Sequence, residues 1–147
     1  MRNSVIFGTA TALGLLGINL WILHLGFIQN TEVHWFWYLL GAITVMAGVG
    51  WSMFSMKKQN HGIFPFKMAF LTGLNTSMAA AFLFPALLWL SLSDFYPELI
   101  EHMVRYYEIP LEDANKIILP TMFGKFIETT AIGILFTVIA SYFMSRK

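Results

Sequence analysis

Cysteine is absent from the 147 residues of this chain. Disulfide cross-links, thiol redox steps, cysteine zinc sites and cysteine-ligated iron–sulfur clusters all need the thiolate, so none of them is open to it. The same absence argues against the four-helix membrane enzymes that handle disulfides. Charge is also scarce. Asp, Glu, Lys and Arg make up 12% of the residues, about half of the roughly 25% typical of a soluble domain. With a net charge of +1 there is no polybasic surface for nucleic acid. Nucleophile elbow, phosphate loop and zinc-protease helix are all missing, and Ser and Thr are scattered without a paired base. Nothing here supports an enzyme, and no cofactor is expected.

What the chain does have is apolar length, with 57% hydrophobic residues. Four apolar runs cover 4–28, 34–56, 66–92 and 117–144. Each exceeds the roughly 20 residues that carry a helix across a ~30 Å hydrocarbon core. They show no period-two alternation and are far longer than the ~10-residue strands of a membrane barrel. The expected fold is all-α: one transmembrane domain over 1–147, an integral membrane four-helix bundle. The first run follows only Arg2 and is too long for a signal-peptide core. Leu25-Gly26-Phe27-Ile28-Gln29 offers no small-x-small cleavage site, so the run reads as a retained span.

The charges sort by face. Arg2, Lys57, Lys58, Lys67, Arg146 and Lys147 fall on one side with no acidic residue among them. Glu32, Asp94, Glu98, Glu101, Glu108, Glu112 and Asp113 fall on the other, accompanied only by Arg105 and Lys116. The excess of Lys and Arg marks the cytoplasmic side, which puts both termini inside. The Trp and Tyr positions agree in part: Trp35, Trp37, Tyr38, Trp89 and Tyr96 lie near the expected outer interface, as an aromatic belt would.

Small residues on the first run (Gly8, Ala12, Gly14, Gly17) and the second (Gly41, Ala47, Gly48, Gly50) allow another helix to approach closely. The inner connection turns at Asn60-His61-Gly62, Pro65 suits the entry to the third helix, and Lys67 can snorkel to the headgroups. Lys57, Lys58 and Lys67 are therefore read as topology determinants in contact with anionic lipid. Gly73, Asn75, Thr76 and Ser77 give the third run a polar inner half, and Pro85 is expected to kink its outer half. A short outer amphipathic helix is expected over about 97–108. Leu99, Ile100, Met103, Val104 and Tyr107 would form its apolar face, and Glu98, Glu101, His102, Arg105 and Glu108 its polar face. Pro110 ends it, and Pro120 bends or starts the fourth span.

Two stretches carry a family resemblance. Gly62-x-x-Pro65-Phe66-Lys67-x-Ala69-Phe70-x-x-Gly73-Leu74 and Phe95-Tyr96-Pro97-Glu98-Leu99-Ile100-Glu101-His102-Met103 together resemble a domain-of-unknown-function family of small four-helix bacterial inner-membrane proteins. The likeness covers most of the chain in layout and particular residues from about 57 to 108. It implies a bacterial inner-membrane location and brings no catalytic residues.

The sharpest candidate site lies outside that resemblance. Lys125 and Glu128 stand three residues apart inside the last apolar run, within reach of an ion pair along one helix. Ionisable residues in a span are functional-site hypotheses by default. At matching depth lie Asn19, His24 and Thr44, so a buried polar cluster of Lys125, Glu128, Asn19, His24 and Thr44 is expected. It reads either as a satisfied ion pair that fixes packing or binds a second subunit, or as the proton-handling site of a small, oligomeric proton-coupled transporter. A third reading joins His24, His34 and His102, with Glu98 and Glu101, as an outer-face metal or haem site. However, Glu98-x-x-Glu101-His102 lacks the first His of the inverted zinc-hydrolase motif and does not supply the Glu-x-x-His spacing of di-iron bundles. The favoured reading is a non-enzymatic structural or accessory membrane component. Its partners would be the bilayer and a further copy or another membrane protein.

Overall fold

The computed structural model describes residues 2–29 and 35–145. Glu32, His34, Arg146 and Lys147, named above, lie outside the described residues. Within them the chain is helical throughout, with no strand. Four helices are long and apolar enough to cross a membrane. They are α1 (Arg2–Leu23), α2 (Phe36–Gln59), α3 (Phe66–Leu90) and α5 (Asn115–Ser145), with the short α4 (Pro97–Tyr106) before the last.

The ends of these helices follow local chemistry. Pro65 stands just before α3 in extended conformation, and its carbonyl accepts the bond from the Ala69 amide at 3.0 Å. After α2 the chain reverses through His61 (φ 51°) and Gly62 (φ 85°), whose amide donates to the Lys57 carbonyl at 3.0 Å. Pro85 and Pro120 lie inside α3 and α5, which run on past them. Each Pro lacks one backbone donor, a loss that a packed membrane helix tolerates.

Both α1 and α3 finish in a five-residue π-helical turn, His24–Ile28 and Ser91–Phe95. Wide i→i+5 bonds close these turns: Gln29 N–H to the His24 carbonyl at 3.1 Å, and Tyr96 N–H to the Ser91 carbonyl at 2.9 Å. α4 packs on both turns. Leu99, Met103 and Val104 are buried while Glu98, Glu101 and Arg105 are exposed, so its amphipathic pattern is used. It is shorter than the sequence suggests. The helix stops at Tyr106, Tyr107 is exposed, and Glu108 adopts φ 54° to let Ile109 N–H reach the Val104 carbonyl. That capping turn, rather than Pro110, ends the helix.

α3 touches each of the other three long helices. Its approach is close because small residues meet there. A Cβ on Gly133 of α5 would lie 2.5 Å from Cβ of Ser77, and one on Gly8 of α1 would lie 2.5 Å from Cβ of Ala79. Buried hydroxyls stitch the same contacts. The Thr76 hydroxyl sits 2.8 Å from that of Ser52 on α2, and the Ser77 hydroxyl sits 3.4 Å from that of Thr137 on α5. Around them pack Val45, Val49, Met53, Phe84, Leu88 and Leu92. At the end of the molecule that holds the α2–α3 turn, the Lys57 ammonium donates to the Met144 carbonyl at 2.8 Å, tying the last turns of α2 and α5. Ser4, near the start of α1, lines a groove with Pro65 and Lys67 at this same end.

Gly133→Leu should therefore cost on the order of 1–3 kcal/mol by overpacking. Thermal unfolding in detergent should show a clear drop in midpoint. Gly17→Leu should leave the midpoint near that of the parent, since nothing lies within 4 Å of a Cβ there.

Candidate functional site

Lys125 and Glu128 lie one turn apart on α5, and the lysine Nζ donates to Glu128 Oε2 at 2.9 Å. Lys125 also stands over the ring of Tyr38 on α2, 5.8 Å from its centroid, a distance at which a cation is attracted to the ring face. The pair borders a cleft between α1, α2 and α5, floored by Phe84 of α3 and lined by Asn19, Tyr38 and Gly41 among others. Its free volume of about 20 Å³ is room for about one water molecule. The pair is not enclosed. The Lys125 side chain is 21% exposed and that of Glu128 45%, on the outside of the helix assembly.

Of the five residues placed together from the sequence, three meet here and two do not. Asn19, Lys125 and Glu128 share the cleft, although the Asn19 amide is committed to its own helix, donating to the Leu15 carbonyl at 2.9 Å. Thr44 likewise donates to the Leu40 carbonyl at 2.8 Å, and it does not line the cleft. His24 lies in the π-helical turn, with its ring 6.2 Å from that of Trp21, in a separate groove shared with Tyr96 and Leu99. The expectation of one buried cluster is corrected on two counts: Glu128 is half exposed, and His24 and Thr44 point elsewhere. Matching depth was the argument for grouping them, but a helix turns by about 100° per residue. Thr44 packs instead on Gly14 of α1, its Cγ2 3.1 Å from where a Cβ would stand there, and His24 lies against Trp21 in the other groove.

Among the described residues no three His, Asp or Glu side chains gather as a metal site would require. Glu98 and Glu101 are exposed on α4, His102 is partly exposed beside them, and His34 is outside the described residues. Lys58 and Lys67 are exposed. Lys57 has a second task that the sequence does not announce, since its partner Met144 lies 87 residues away. Its charge sits where the last carbonyls of α5 concentrate negative potential. Tyr38 as a partner of Lys125 was likewise hidden, because an aromatic near an interface reads as part of a belt. Compared with protein-family models, with curated proteins and with solved structures, the chain matches none.

The arrangement supports an ion pair with no net charge, and the two charges should depend on each other. Lys125→Met and Glu128→Gln should each destabilise the protein, and the double variant should recover much of the loss. Unfolding midpoints of the four proteins should give a coupling of roughly 0.5 kcal/mol.

Proposed function

We propose that this chain is a bacterial inner-membrane protein, a four-helix bundle with both termini in the cytoplasm and α4 on the outer face. It acts as a non-enzymatic structural or accessory component of a membrane assembly. The sidedness rests on the segregation of Lys and Arg, and the bacterial setting on the resemblance over about 57 to 108. The observation that carries the accessory role is the size of the cleft at the only ion pair of the four long helices among the described residues. With about 20 Å³ of space it takes one water and no solute. The remaining polar side chains buried in these helices are hydroxyls and one amide, and most of them bond within or between helices. A protein built this way acts through what its surfaces contact.

Gentle extraction into native lipid particles tests this. The expected result is a particle heavier than one chain with its lipid, containing further protein. A uniform population of single chains would overturn the reading.

One observation favours a proton-coupled carrier as the second reading. Glu128 is a titratable carboxylate, half exposed at the rim of a water-sized cleft. In that case Glu128→Gln should abolish proton-coupled flux in reconstituted vesicles, and an unchanged flux would sink the carrier.

A further inference from the structure

Glu128 lies inside the last apolar span, in a cleft shared with Gly41, the sixth residue of α2, about 8 Å from the first end of that helix. Ionised side chains within a span almost always face the interior of a helix assembly or a water-filled cavity. Glu128 does neither. Its side chain is 45% exposed on the outside, and the adjoining cleft holds about one water, too little to hydrate two charges. Lys125 occupies one carboxylate oxygen, Oε2, whereas an ionised carboxylate offers about four acceptor sites. Something other than lipid must cover this face.

We infer that the face of α5 carrying Glu128 is the contact between two copies of this chain, with Lys125 of each copy pairing with Glu128 of the other. This rests on the reading of the chain as a membrane component and names its partner. Two copies inserted in the same direction are related by a two-fold axis along the membrane normal, which puts every residue at the same depth in both. Lys125 and Glu128 differ in depth by only about 4.5 Å, so each lysine comes within reach of the opposite carboxylate. Four charges then close into a neutral group, and the surface complements itself, as a two-fold contact requires. A partner of unlike sequence would have to bring a matching pair of its own. The surrounding surface fits a second helix. Gly124, Glu128, Ala131 and Leu135 are all exposed at spacings of four, three and four, the pattern of a seam between parallel helices. At Gly124 the space where a Cβ would stand is open.

Because the chain has no cysteine, one introduced thiol reports this contact without ambiguity. Ala131→Cys, oxidised in native membranes, should give a disulfide-linked species of twice the chain mass. Leu13→Cys, which is exposed on α1, should give at least tenfold less. Absence of the Ala131 cross-link, or equal cross-linking at both positions, would overturn the contact.

In the Ala131→Cys background, Lys125→Glu alone and Glu128→Lys alone should each lose most of the cross-link. Co-expression of these two variants under different tags should restore it between them, because the pair across the contact reforms while neither copy retains its internal pair. Singles that cross-link like the parent, or a mixture that fails to recover, would overturn the pairing. Should either charge variant fail to insert, the comparison of Ala131→Cys with Leu13→Cys decides alone. A native particle containing other proteins and a single copy of this chain would overturn the dimer while leaving the accessory role standing. A lone chain would overturn both.

Discussion

Lipid tails are as apolar as leucine, so helices that share a bilayer gain little by hiding apolar side chains from it. What holds them together must come from close packing and from polar groups that lipid cannot satisfy. α3 is where this protein meets that constraint. Gly73 faces Met53 and Thr137, Gly133 faces Ser77, and Gly8 faces Ala79 and the Thr76 carbonyl, so α1 and α5 approach α3 closely while α2 reaches it with the end of a Met side chain. The hydroxyls of Ser52, Thr76, Ser77 and Thr137 lie in the same contacts. Each such bond in a membrane contributes only about 0.6 kcal/mol on average. They therefore select one way of packing more than they strengthen it, and the glycines do the rest by shortening the distance over which dispersion acts.

The pairing of α2 with α5 shows how uneven the result is along the membrane normal. At the basic end the Phe136 ring lies against Gly50, and Lys57 closes on the Met144 carbonyl. At the acidic end the same two helices are joined through Tyr38 and Lys125 at 5.8 Å, with the cleft between them. The two ends thus use different chemistry: a cation on a helix-terminal carbonyl at one, and a cation over an aromatic ring beside a cleft at the other.

This contrast explains which features were legible in the sequence. Span number and approximate length follow from apolar runs, because a ~30 Å slab imposes them on any helix. The amphipathic α4 was legible because a 3.6-residue pattern needs no knowledge of neighbours, although its end at Tyr106 depended on a turn at Glu108 that a non-glycine rarely makes. The Lys125–Glu128 pair was legible because its partners are three residues apart. Contacts between distant segments were not. Lys57 with Met144, Tyr38 with Lys125 and Ser77 with Gly133 depend on the azimuth of each helix, and apolar runs that can face lipid on any side carry little record of azimuth. Grouping Asn19, His24 and Thr44 by depth supplied one coordinate out of two, and two of the three then proved to face elsewhere.

Azimuth also gives the ion pair its meaning. A charge pair turned inward would be a packing device, complete within one chain. A pair facing a wide cleft would be a pathway for water or solute. This pair is turned toward the edge of its helix, beside a gap the size of a single water, with Glu128 reaching the outer surface. In lipid that exposure carries a cost, which the proposed contact between two copies would remove by completing the shell around the carboxylate. The same half-burial that makes Glu128 a poor structural anchor within one chain leaves its carboxylate open to such a contact.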